Sequence, residues 1–91
     1  MELSDLRIEI DAIDDELIKL FAQRMEVAAK IAGYKKEHNL PIFVPARERE
    51  KLTDVAQKAG PEMAKYVAQL YASIFEISRA YQTNIFEEDI K

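Results

Sequence analysis

Three helices per chain, the first very long, with two long helices paired in a homodimer: this all-α architecture is what the sequence predicts, on three observations. Chain-breaking residues are scarce, with two Gly and three Pro in 91 residues, and the breaks fall at Asn39-Leu40-Pro41 with Pro45, and at Gly60-Pro61. Between the breaks apolar residues recur at steps of three and four, the period of a helix face. The apolar stripe of the first segment is also longer than the other two segments can cover, and a second copy of the chain supplies the missing cover.

The first helix is expected at roughly 4–38, about 50 Å at 1.5 Å per residue. Ser4 suits its N-cap and Asp5 its positive first turn. Leu6, Ile10, Ile13, Leu17, Leu20, Ala28 and Ile31 form one stripe down its side. Asp11, Asp14, Asp15 and Glu16 read as the solvated side, with Asp15 and Lys19 spaced for an i,i+4 pair, and His38 falls at the helix end. A second helix, roughly 45–58, starts on Pro45, which suits a first helical position. With only Leu52 and Val55 among many charges it is expected at the periphery. The third, roughly 61–86, follows Gly60 and carries Met63, Tyr66, Val67, Leu70, Ile74, Ile77, Tyr81 and Ile85. The whole chain, 1–91, reads as one domain near the small end of what a single core stabilises.

Composition narrows the function. A hydrophobic content of 48% with 33% charged residues is that of a soluble globular protein, and the cytoplasm is the expected compartment. No apolar run reaches spanning length and no signal peptide is evident at the acidic start Met-Glu-Leu-Ser-Asp. The net charge of −4 argues against general attraction to nucleic acid or an anionic membrane, so an anion site has to be local. No Cys and a single His leave no thiol nucleophile, His-based triad or multi-His metal site, and no cofactor motif is evident; two Gly do not build a phosphate loop.

Against that background, polar residues on apolar faces stand out. Heptad extension of the first stripe from Leu17 arrives at Arg24, and from Ala28 at Lys35. Lys35 has an ordinary reading as a last-turn cation that snorkels and offsets the helix dipole. Arg24 is mid-helix, and a buried charge needs a partner. On the third helix Ser78 and Gln82 share a face one turn apart. Either alone reads as a Ser bonded back to its helix or a marginal Gln; together they form a polar notch. Pro45-Ala46-Arg47-Glu48-Arg49-Glu50 opens the second helix, where free N–H groups and the positive dipole end favour an anion, although Arg49 and Glu50 read as solvated. Cations and neutral donors without a nucleophile suit a reaction that needs only holding and electrostatics.

The ordered set Leu6-Arg7, Arg24, Lys35, Arg47-Glu48-Arg49, Ser78 and Gln82 resembles the all-helical chorismate mutases, over about residues 3 to 83, by combination of spacings rather than by any single motif. The resemblance implies an intertwined homodimer that converts the small molecule chorismate to prephenate, on the branch to phenylalanine and tyrosine, without cofactor. It implies that Arg24 and, from the partner chain, Arg7 grip two substrate carboxylates; that Lys35 and Gln82 face the ether oxygen; and that Glu48 accepts the substrate hydroxyl. Arg47 and Ser78 would complete the polar lining, and Ile31 and Phe75 the apolar wall. Val44 stands where many members of that family carry Asp, which leaves a backbone N–H but no side-chain cap. Two other readings stay open: an isochorismate-pyruvate lyase on the same fold, against which Glu48 weighs, and a non-catalytic regulatory helical module, against which Lys35 and Gln82 weigh.

Overall fold

The computed structural model describes residues 2–88. Among the described residues the chain forms three helices and no strand: α1 (Leu3–Glu37), α2 (Pro45–Ala59) and α3 (Ala64–Glu88). The N-cap of α1 is Glu2 rather than Ser4, which lies inside the first turn. Asp5 explains the shift: its carboxylate accepts the Glu2 backbone N–H at 3.3 Å, so the acidic residue both complements the dipole and ties down the residue before the helix. At the other end His38 closes the helix as expected. Its ring stacks on Tyr34 at 4.0 Å, and its Nδ1 lies 2.8 Å from the Tyr34 carbonyl, an acceptor for Nδ1–H. Asn39 then takes φ 55, a left-handed conformation that Asn tolerates better than most residues, and the chain turns.

Pro45 is the first residue of α2, where its missing N–H goes unneeded. Gly60, at φ 85, ends that helix. Regular α3 begins at Ala64 rather than at Pro61, because residues 61–63 form a turn in which the Gly60 carbonyl accepts from both Met63 (3.2 Å) and Ala64 (2.9 Å). On α1, Lys19 pairs with Glu16 at 3.5 Å rather than with Asp15; both partners are exposed and such a pair contributes little.

Helix α3 is the centre of the chain: α1 and α2 each pack on it and not on each other. Helix α2 is therefore more than peripheral, and its Val55 is buried. The remaining buried residues form a narrow seam of Ala28 and Ala32 on α1 against Phe75, Ser78 and Gln82 on α3. Small side chains one turn apart on α1 let the helices approach closely.

Apart from Ala28, the stripe residues that announced α1 are not the surface that packs within the chain. Leu6, Ile10, Ile13, Leu17 and Leu20 are 41% to 63% exposed, and Met63 before α3 and Tyr66, Leu70, Ile77 and Tyr81 on it are exposed as well. Periodicity identifies an apolar face but not what covers it, and here the faces joined within one chain lie beside the most apolar ones. Large contiguous apolar patches on a small domain mark interaction surfaces. No helix among the described residues is long and apolar enough to cross a membrane.

Candidate active site

Helical phase and one loop bring the singled-out residues together. Arg24, Ala28, Ile31 and Lys35 follow one another by steps of four, three and four on α1, the spacing of a single face. Phe75, Ser78 and Gln82 do the same on α3, and the loop after His38 returns the chain so that Val44, Arg47 and Glu48 close the third side. These residues line a cleft of about 480 Å³, the size of a small-molecule site. Among the sequence-predicted residues only Arg7 is absent from it. Arg7 is exposed near the start of α1, about 25 Å along the helix from Arg24, beyond the reach of its own side chain.

The cleft is a local positive field on an acidic chain. Arg24, Lys35, Arg47, Lys51 and Arg79 line it against one carboxylate, that of Glu48. Arg24 is half-buried rather than buried. Its guanidinium lies 6.0 Å from the Tyr71 ring centre and 5.7 Å from that of Phe75, so two aromatic faces hold the charge where an acidic partner was the alternative. The Lys35 ammonium donates to the Ile42 carbonyl at 3.0 Å, which fastens the loop to α1 and leaves donors for a ligand. Arg47 pairs at 3.6 Å with Glu50, both well exposed, a weak contact that a bound anion can replace.

Ser78 and Gln82 are both buried, and the Gln82 Nε2 donates to the Ser78 Oγ at 3.1 Å. This leaves the Gln82 Oε1 buried without a partner, at a cost of about 1–3 kcal/mol. Rotating the amide by half a turn moves the orphan from acceptor to donor: the Ser78 hydroxyl then donates to Oε1, and Nε2 is the buried group left for a ligand to satisfy.

Sequence reasoning missed Val27, Ala28, Ile42, Lys51 and Arg79 as lining residues. Lys51 was within reach of it, three residues after Glu48 on the same helix face. It donates to Asp54 at 3.3 Å, as Lys58 does at 3.0 Å, and these hydrogen bonds, Lys58's first, hold the Asp54 carboxyl below the usual range. Ile42 contributes a backbone carbonyl, which no side-chain pattern announces.

At Val44 the sequence expectation is met: the α2 N-cap makes no side-chain hydrogen bond, while its carbonyl accepts from Arg47 and Glu48 at 3.1 and 3.2 Å. Val44→Asp should therefore stabilise the protein by about 0.5–2 kcal/mol through the missing cap. A thermal midpoint raised by several degrees, about 4–8 °C per kcal/mol for a chain of this size, is the expected reading. No change would mean that water already satisfies the helix end.

Residues 6–83 match the family model described as chorismate mutase type II. A T-protein of Haemophilus influenzae is 48% identical over 61 residues, 64% of this chain and 16% of that protein. A bifunctional chorismate mutase/prephenate dehydratase of Aquifex aeolicus is 51% identical over 49 residues, 54% of this chain and 14% of that protein. A 4-amino-4-deoxychorismate mutase of Streptomyces venezuelae is 39% identical over 46 residues, 50% of this chain and 45% of that protein. The chain thus spans less than half the length of each of these curated relatives. No solved structure gives a significant match.

Proposed function

The chain belongs to the chorismate mutase type II family, and we propose that it rearranges chorismate to prephenate in a cleft completed by a second copy of itself. The observation that carries this reading is the convergence of Arg24, Lys35, Glu48 and Gln82 on one cleft of suitable size. In the rearrangement one C–O bond breaks as one C–C bond forms within a single molecule, with no proton transfer and no covalent enzyme intermediate. Negative charge grows on the ether oxygen as the bond to it breaks. Donors aimed there bind the transition state more strongly than the ground state, and the cationic clamp restricts a flexible substrate to its folded, reactive conformer.

The roles are those the family resemblance implies, given to the residues that the cleft brings together. Arg24, in the lining of the cleft, binds one carboxylate, and Arg7 of the second copy binds the other. Lys35 and the rotated Gln82 amide point donors at the ether oxygen, with Ser78 holding that amide in place. Glu48 accepts the ring hydroxyl, Arg47 exchanges Glu50 for the substrate, and the Val44 backbone lies beside the same hydroxyl. Ile31 and Phe75 exclude water. An acceleration of about 10⁶-fold asks for roughly 8 kcal/mol. Two donors at about 2.7–4 kcal/mol each, with conformational restraint, are sufficient in magnitude.

The homodimer is supported by a second, apolar cleft that lies between Leu17, Leu20 and Phe21 of α1 and Leu70, Ile74 and Ile77 of α3. Arg24 lines both clefts. A partner helix filling the apolar one arrives beside Arg24, where a second Arg is wanted. A soluble cytoplasmic enzyme is the corresponding setting.

Incubation of the purified protein with chorismate, followed by product identification, tests the assignment: prephenate is expected without added metal or cofactor. Pyruvate and salicylate from isochorismate would shift the reading to a lyase, and turnover of neither compound to a regulatory module. Gln82→Glu gives a sharper check. The introduced carboxyl donates to the ether oxygen only when protonated, so this variant should be active toward acid and lose activity as pH rises through the pKa of that group. A pH–rate profile matching that of the parent would remove Gln82 from the ether oxygen.

A further inference from the structure

Arg79 is one of the two cationic residues of the cleft, with Lys51, that the family reading does not use. It follows Ser78 on α3, and its Nη1 lies 2.5 Å from both carboxylate oxygens of Glu48 on α2, a contact between elements 31 residues apart. The two side chains are 33% and 23% exposed, and the guanidinium carbon lies 4.8 Å from the Phe43 ring centre. Arg79 is thus held from two sides, by the carboxylate and by an aromatic face of the loop. One nitrogen placed between two oxygens leaves each oxygen a lone pair for a further donor. It also cancels the charge of the cleft's one carboxylate.

We propose that Arg79 is a positioning residue that sets specificity at the Glu48 end of the cleft. By fixing and neutralising the carboxylate, it prepares an acceptor for a neutral donor, a ring hydroxyl, and removes the attraction a bare carboxylate would exert on a cationic amine in the same place. The apolar side chain of Val44, which lines the same cleft, acts in the same direction, because no second carboxylate stands at this end. An unpaired Glu48 would swing toward Lys51 or Arg47, which line the same cleft. The specificity clause rests on the assignment of the cleft to chorismate; the positioning contact does not.

The test uses the parent protein, Arg79→Met, Glu48→Gln and the double variant, with Arg79→Lys as the conservative replacement. Urea denaturation without ligand comes first. The double variant should be no less stable than the weaker single variant, and additive losses would overturn the contact. With chorismate, Arg79→Met should raise KM about tenfold and change kcat less than about twofold, since a hydroxyl acceptor serves ground and transition states alike. Arg79→Lys should recover part of that loss, and adding Arg79→Met to Glu48→Gln should cost nothing more. If it costs as much there as in the parent, or if kcat falls with KM unchanged, Arg79 acts on the substrate directly and the positioning role fails. The preference for chorismate over 4-amino-4-deoxychorismate, as a ratio of kcat/KM, should fall about tenfold in Arg79→Met; an unchanged ratio overturns the specificity clause. A parent protein that turns over no chorismate overturns the functional assignment and that clause with it, while the denaturation cycle still decides the contact.

Discussion

Lys35→Ala should lower kcat for chorismate about 10²–10³-fold, the loss of one donor at an oxygen that becomes negative. In the proposed mechanism that interaction is made chiefly in the transition state, so kcat and kcat/KM should fall together, with KM nearly constant. Lys35 also has a structural bond, to the Ile42 carbonyl at 3.0 Å. Its loss frees an exchangeable loop contact rather than a buried charge, and the carbonyl can turn to water. Circular dichroism of the variant should therefore match that of the parent, separating the chemical loss from a folding defect. A rise in KM with kcat preserved would make Lys35 a binding group and move the ether oxygen elsewhere.

The second large effect concerns ownership of the site. Arg7→Ala and Arg24→Ala should each lower kcat/KM by 10²-fold or more, about 3 kcal/mol for a charged pair left without its partner. Mixed, unfolded and refolded together, the two inactive proteins should regain activity. A heterodimer assembles one cleft from the intact Arg24 of one chain and the intact Arg7 of the other, so random pairing restores about a quarter of the parent's sites. Recovery near that level requires a cleft shared between chains. None at all would place Arg7 outside the site.

How far the sequence reached depended on the kind of information each residue carries. Gly60 and Asn39 mark breaks because their backbone angles, φ 85 and φ 55, are ones few residues adopt, and so the helix ends were readable. Arg24, Lys35, Ser78 and Gln82 were readable because a polar residue on an apolar face violates a period. Arg79 violates none: on α3 it passes for a solvated charge, and its meaning comes from Glu48 on another helix and Phe43 on the loop. The apolar stripes were found, and the first was too long for the chain to cover, but which stretches pack within the chain was not readable, since sequence reports the apolarity of a face and not its neighbour. Ser4 lost the N-cap to Glu2 for a local reason, the reach of the Asp5 carboxylate back to the preceding N–H.

Every residue from Glu2 to Leu20 is exposed in the single chain, and a helix segment with nothing to pack on is marginal in water. In the proposed dimer, the order of this segment becomes a matter of mass action. Dilution below the dissociation constant would melt the front of α1 and withdraw Arg7 from the neighbouring cleft in one event, so specific activity would fall with enzyme concentration while the protein stays chemically intact. Substrate, held by both chains at once, would oppose that loss by drawing the equilibrium toward the pair.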